Sequence, residues 1–131
     1  DAGDFDAAIV MRDGLSAVNG WFNCNQFDNP LNIEVHYKTT GPELDKQYRS
    51  TNEYGNIFHT LDAFVSGTGT GGTIMGAGAY LKERFPNCKL VAVEPAESAV
   101  MSGGSAGLHG IQGIGDGSKF LVDLKEINSI K

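Results

Sequence analysis

The fold of this chain is decided at residues 66–73, which read Ser-Gly-Thr-Gly-Thr-Gly-Gly-Thr. A short apolar run at residues 61–65 comes before this stretch and is typical of a buried strand, and residues 74–85 carry apolar side chains at helical spacing. Glycines let the backbone approach a ligand closely, and the first turn of a helix presents unpaired amides with partial positive charge. The sequence therefore predicts a strand, an anion-binding loop and a helix in succession, with a phosphate group as the natural ligand.

Several kinds of loop share this glycine-rich strand-to-helix arrangement. A P-loop is excluded because its glycines are followed by Lys and then Ser or Thr, whereas the glycine pair here is followed by Thr and Ile. A dinucleotide-binding loop stays open, since Gly67, Gly69 and Gly72 match G-x-G-x-x-G and Glu94 ends the next strand-like run at a plausible distance. This alternative would make the chain the NAD-binding Rossmann domain of a dehydrogenase.

A monophosphate cradle is the third kind of loop that fits. In this arrangement the hydroxyls of Thr68, Thr70 and Thr73 supplement the backbone amides around one terminal phosphate. A tight glycine turn that binds nothing, within a non-catalytic interaction module, is the remaining alternative. The loop by itself does not decide among these.

Five segments of the chain resemble the cysteine synthase (O-acetylserine sulfhydrylase) family of pyridoxal-phosphate enzymes, in the same order and at similar spacing. They are Asn-Gln-Phe-Asp-Asn-Pro at residues 25–30, His-Tyr-Lys-Thr-Thr-Gly-Pro-Glu at 36–43, Gly-Thr-Gly-Gly-Thr at 69–73, Val-Glu-Pro at 93–95 and His-Gly-Ile-Gln-Gly-Ile-Gly at 109–115. Gln112 favours cysteine synthase over the related cystathionine beta-synthase, in which glutamate is usual at that place. A cystathionine beta-synthase-like enzyme stays as an alternative.

The resemblance implies an α/β fold that is part of a doubly wound, mostly parallel sheet with flanking helices, the fold type II arrangement of pyridoxal-phosphate enzymes. It implies an incomplete piece of such an enzyme, in which only the middle to C-terminal part is present. Residues 1–20 are expected to form a helix from the end of the smaller, mobile domain. Residues 21–131 are expected to form a partial larger domain, which binds the cofactor.

Local patterns predict where the helices and strands lie. A first helix is expected at residues 4–18 and ends at Asn19 and Gly20, which are a good left-handed cap. A second is expected to begin at Asn32 as its N-cap and to kink or split at Pro42. Residues 49–60 are expected to form a polar loop, and strands are expected at about residues 21–24, 62–66 and 89–94.

The resemblance also implies which residues bind ligands. The phosphate of the cofactor, pyridoxal 5'-phosphate, would be held by Gly69, Thr70, Gly71, Gly72 and Thr73. Gln26 resembles the glutamine that helps to bind the substrate carboxylate, and Gly113 resembles the glycine turn that lines the mouth of the active site.

The family makes L-cysteine from O-acetylserine and sulfide by beta-elimination and replacement, and its cofactor forms a Schiff base with a lysine. None of the lysines in this chain lies in a segment that resembles the motif of that lysine. We therefore assign no catalytic residue and expect the chain to be inactive alone, with catalysis belonging to a longer parent enzyme. The family implies that the parent is a homodimer.

Composition narrows the remaining classes of function. The 131 residues carry a net charge of -6 and no cluster of basic residues, so nucleic acid and anionic membranes are disfavoured as partners. No apolar run approaches the ~20 residues that span a bilayer. Cys24 and Cys88 have no metal-ligand spacing and are expected to be reduced, as in a cytoplasmic protein. His36, His59 and His109 do not cluster, so no metal site is predicted.

Overall fold

The structure is a computed structural model that describes residues 5–50, 60–118 and 120–131. Most of the polar loop predicted at residues 49–60 lies outside the described residues, as does His59. The regular elements follow one another as α1 Phe5–Asn19, α2 Leu31–Val35, a π-helical segment His36–Thr40, α3 Gly41–Arg49, β1 Ala63–Gly67, α4 Gly72–Arg84, β2 Lys89–Val93, a 3-10 turn Ala96–Ser98 and β3 Ser129–Ile130.

The three strands form one parallel sheet in the order β1-β2-β3. Helix α4 connects β1 to β2, and Phe64 of β1 lies opposite Leu90 of β2. The predicted strands at 62–66 and 89–94 are confirmed to within a residue or so. Strand β3 was not predicted, because its two residues are too short a pattern to recognise in the sequence, and it is defined by its pairing with Val91 and Ala92.

The core lies between α4 and the sheet. Ile74 and Ala77 of α4 and Ala92 of β2 have no exposed surface, and Leu81 and Leu90 are almost as deeply buried. The opposite side of α4 faces α2 and the π-helical segment, where a Cβ atom at Gly76 would lie 2.2 Å from the carbonyl oxygen of Ile33. Glycine therefore permits the close helix contact that brings α2 to the head of α4.

The second helical region differs from its prediction at its beginning. Helix α2 begins at Leu31 with Pro30 as its N-cap residue, and the Asn29 side chain accepts a hydrogen bond from the Leu31 amide at 3.0 Å. The prediction of Asn32 as the N-cap is wrong, because its side chain points to other segments instead. The predicted interruption near Pro42 is confirmed: the π-helical segment ends at Thr40, directly before α3 with Pro42 in its first turn.

The strand predicted at residues 21–24 is wrong. Helix α1 ends as predicted, with Gly20 at φ +64° and the Trp21 amide donating to the Ser16 carbonyl at 3.1 Å. The residues that follow have no regular structure, and Trp21 and Phe22 are 62% and 91% exposed. Residues 21–24 favour a strand, but no strand of the described residues lies beside them, so their backbone forms no sheet hydrogen bonds.

Candidate functional site

A cavity of about 400 Å³ lies at the head of α4. It is lined by all seven residues that the sequence suggested for the cofactor and substrate sites, namely Gln26, Gly69, Thr70, Gly71, Gly72, Thr73 and Gly113. Phe27, Gly67, Ile74 and Asp116 complete the lining. The fold thus brings together three segments that are far apart in the sequence.

The backbone at the head of α4 presents donors to this cavity. The first helical hydrogen bond runs from the Met75 amide to the Gly71 carbonyl at 3.0 Å, so the amides of Gly72, Thr73 and Ile74 lie before the first bonded turn. The Gly72 amide makes one long contact, 3.4 Å, with Thr70 Oγ1. These donors and the dipole of a 13-residue helix suit an anion with several oxygen atoms.

The glycines of the loop are needed because other segments press against it. Gly71 has φ +92°, and a Cβ atom there would lie 2.5 Å from Val122 Cγ2. At Gly69 a Cβ atom would lie 2.3 Å from the Gly113 carbonyl oxygen, a backbone atom that has little room to move. The loop is therefore shaped by packing as well as by its own turn, which supports a rigid ligand cradle over a simple flexible turn.

The three threonines of the loop differ in where their hydroxyl groups point. Thr70 Oγ1 accepts a hydrogen bond from Asn32 Nδ2 at 3.1 Å. Thr73 Oγ1 lies 3.3 Å from His36 Nε2. The third hydroxyl, that of Thr68, is buried and donates to the Ser66 carbonyl at 3.3 Å. The expectation that Thr68 joins the cradle is wrong, because its hydroxyl faces back along the strand.

The glycine turn after His109 contributes Gly113 to the wall of the cavity. Gly113 has φ +84°, a conformation that favours glycine. His109 Nδ1 accepts from the Ile111 amide at 3.2 Å, so its Nε2 carries the proton and donates to the Gly115 carbonyl at 3.1 Å. A second cavity of about 530 Å³ adjoins this turn and shares Gly113 and Asp116 with the first.

Glu94, the acidic residue of the dinucleotide alternative, is occupied elsewhere. Its side chain is buried and accepts hydrogen bonds from the Met101 amide at 2.8 Å, the Ser102 amide at 2.9 Å and the Ser102 hydroxyl. A ribose-binding carboxylate must be free to accept from the sugar hydroxyls. Glu94 instead holds the turn after β2 in place, which argues against the dinucleotide interpretation.

Sequence reasoning missed three side chains near the cradle: Asn32, His36 and Asp116. Asn32 lies in α2 and His36 begins the π-helical segment, and only the packing of these two elements against α4 brings the two side chains to Thr70 and Thr73. Asp116 lines the cavity directly. Its position after the turn at residues 109–115 was the available signal. No lysine or arginine is among the described residues that line the cavity.

Comparisons of sequence and of structure match this chain to the same group of enzymes. The family profile described as "Pyridoxal-phosphate dependent enzyme" matches residues 2–127. The chain is 46% identical over 110 residues to the cysteine synthase of Staphylococcus aureus (strain Mu50), which covers 84% of this chain and 33% of that protein. The chain thus spans about a third of the length of this relative.

Solved structures agree with the sequence comparison. Cysteine synthase from Entamoeba histolytica matches 94% of this chain with a TM-score of 0.79 and 35% identity, over 34% of its own length. A hydrogen sulfide-producing enzyme from Fusobacterium nucleatum matches 98% of this chain with a TM-score of 0.83 and 33% identity, over 37% of its own length. The expected α/β fold, with the parallel sheet and flanking helices of fold type II enzymes, is confirmed. Among the residues that the structure describes, no helix has both the length and the hydrophobicity of a membrane-spanning segment.

Proposed function

We propose, because this chain belongs to the pyridoxal-phosphate dependent enzyme family, that the cavity at the head of α4 holds the phosphate of pyridoxal 5'-phosphate in a cysteine synthase-like enzyme. The observation that carries the proposal is the meeting of Gln26, Gly113 and residues 69–73 around one cavity, where the amides of Thr73 and Ile74 precede the first helical hydrogen bond. Such an arrangement fits a terminal phosphate better than a flat or extended ligand.

The cradle would hold the phosphate without a lysine or arginine. The donors are the amides of Thr73 and Ile74 together with the hydroxyls of Thr70 and Thr73. A charged group at a helix N-terminus is stabilised by about 0.3 to 2 kcal/mol, so the cradle orients the cofactor and neutralises part of its charge. It does not replace a covalent link to an amine.

Gln26 and Gly113 would act on the substrate side of the same cavity. The exposed Gln26 amide can donate to a substrate carboxylate without adding net charge, and the Gly113 turn shapes the mouth. When bound, pyridoxal phosphate supplies an electron sink for chemistry at the substrate α-carbon. The reaction proposed for the full enzyme is the formation of L-cysteine from O-acetylserine and sulfide by beta-elimination and replacement. Gln112 supports this reaction over that of cystathionine beta-synthase.

The same proposal extends to the parent enzyme. We propose a cytoplasmic homodimer, and the two free thiols, Cys24 and Cys88, are in keeping with a reducing compartment. We place residues 1–20 in the smaller, mobile domain and residues 21–131 in the larger one. This division is supported by α1, which contacts no other described helix or strand.

Because no lysine is among the described lining residues, we propose that this chain alone binds the cofactor phosphate but does not turn over substrate.

Isothermal titration calorimetry with pyridoxal phosphate, inorganic phosphate, pyridoxal and NAD tests the proposal. We expect the first two to bind, and pyridoxal, which lacks the phosphate, to bind about tenfold more weakly than pyridoxal phosphate or not at all. Thr73→Val should weaken phosphate binding, whereas the matched control Thr68→Val, whose hydroxyl faces away from the cavity, should not.

Two results would contradict the proposal that this cavity binds the cofactor phosphate, and a third would contradict the proposed inactivity. Preferential binding of NAD would restore the dinucleotide interpretation, and equal binding of pyridoxal and pyridoxal phosphate would show that the cradle does not recognise phosphate. Stoichiometric fixation of the cofactor to one lysine by borohydride would overturn the expected inactivity of this chain alone.

A further inference from the structure

Asn32 links the Gln26 loop to the cradle, two parts of the site that lie far apart in the sequence. Its Nδ2 atom donates to the Gln26 carbonyl at 2.9 Å and to Thr70 Oγ1 at 3.1 Å. The first partner is a carbonyl oxygen and can only accept, so the nitrogen end of the amide must face it. Both N–H groups of one half-buried side chain are therefore used to join the Gln26 loop to the cradle.

The bond from Asn32 determines what the Thr70 hydroxyl can do. A hydroxyl has one proton and two lone pairs, and Thr70 Oγ1 accepts from Asn32 and, at 3.4 Å, from the Gly72 amide. Its proton is then left to donate, and Thr70 lines the cavity. Asn32 thereby directs the one proton of Thr70 towards an anion in the cradle.

The packing of α2 on α4 keeps Asn32 in this position. Asn32 Oδ1 lies over Gly72, where a Cβ atom would be 2.0 Å away. Gly76, one turn further along α4, makes a similarly close approach to Ile33. The amide plane of Asn32 is thus held between the Gln26 loop and the first turn of α4.

We infer that Asn32 is a positioning residue that couples the Gln26 loop to the phosphate cradle. This inference rests on the proposed function and deepens it. Asn32 sets Thr70 as a donor to the phosphate, and the same side chain fixes the backbone of Gln26 on the substrate side. An anion bound to Thr70 therefore stabilises the loop that carries Gln26.

A double-mutant cycle between Asn32→Leu and Thr70→Val, with inorganic phosphate as the titrated ligand, tests this coupling. Each single variant of the full chain should bind phosphate about tenfold more weakly, because a hydrogen bond to a charged group is lost or misdirected. The double variant should be little worse than either one. Thr70→Ser, which keeps the hydroxyl, should restore the sensitivity to Asn32→Leu.

Hydrogen–deuterium exchange supplies a readout that a merely structural role would not change. Phosphate should slow exchange at residues 25–28 in the wild-type chain and not in Asn32→Leu. If Asn32→Leu does not fold, Asn32→Asp serves instead, since it keeps the shape and removes the donor. Leu31→Asp is its matched control, because it adds the same charge at the neighbouring, exposed position and does not line the cavity.

The outcomes separate the two proposals. If the wild-type chain binds neither phosphate nor pyridoxal phosphate, the proposed function fails and this inference fails with it. If the wild-type chain binds phosphate but the two substitutions act independently, or residues 25–28 gain equal protection in the Asn32 variant, only the role of Asn32 is overturned.

Discussion

The cradle and helix α1 are opposite cases of how a segment is held in this protein. The cradle is enclosed by distant segments, with Asn32, Gly113 and Val122 pressed against its glycines. Helix α1 contacts no other described helix or strand, and its Val10 and Val18 are 72% and 86% exposed. An apolar side chain of α4, the helix that begins at the cradle, therefore stabilises the fold, whereas one of α1 contributes little, although both helices carry apolar residues.

The largest expected difference between the two regions concerns apolar truncation. Ile74→Ala should lower the free energy of unfolding by about 2 to 5 kcal/mol, because Ile74 is fully buried and a cavity would remain. Val18→Ala should change it by no more than about 0.5 kcal/mol. Urea unfolding followed by circular dichroism measures both. Similar losses for the two variants would break the contrast, since they would mean that α1 is covered in solution.

Glycine-to-alanine substitutions sharpen the same contrast with a change of sign. Gly69→Ala should cost about 1 to 3 kcal/mol, because its Cβ atom would meet the Gly113 carbonyl and push the turn away. Gly14→Ala, in the middle of α1, where no atom beyond the local helix backbone lies within 4 Å of the Cβ position, should stabilise by about 0.5 to 1 kcal/mol. Thermal unfolding reports both, and a neutral Gly69→Ala would show that the loop is less tightly enclosed.

The last comparison concerns the reactivity of the two thiols, for which no change in the free energy of unfolding is expected. Burial raises the pKa of the Cys88 thiol, and its side chain is only 3% exposed, whereas Cys24 lies exposed just after α1. Less thiolate and less access mean that Cys88 should react with a disulfide reagent about tenfold or more slowly than Cys24 at neutral pH. In urea the two rates should converge. Equal rates in the native chain would contradict the burial of Cys88.

Local patterns predicted the elements next to the glycine loop and failed where partners lie far away. Strands β1 and β2 and helix α4 were predicted because apolar periodicity, glycines and their order are local properties. The strand expected at residues 21–24 was wrong because an apolar run does not become a strand without a neighbour. Strand β3 was missed for the converse reason, since its pairing with Val91 and Ala92 defines it.

The roles of individual polar residues also depend on partners that local sequence patterns do not identify. Asn32 was interpreted as a helix cap because asparagine before an apolar run usually is one, yet Pro30 occupies that position and Asn32 contacts Thr70. Glu94 fitted a ribose-binding pattern by spacing, but its oxygens accept from residues 101 and 102. In both cases the side chain bonds to a partner that spacing in the sequence did not reveal.

Local sequence patterns alone predict that a strand, a run of glycines and a helix follow one another, and that this order creates unpaired amides at one place. The resemblance of the chain to a known family suggested which residues share the site. Which side chains surround those amides depends on long-range packing, because Asn32 and Thr70 are 38 residues apart and meet through the close packing of α2 on α4. Backbone donors are a local consequence of helix geometry, whereas the side chains that orient a ligand depend on how distant segments pack.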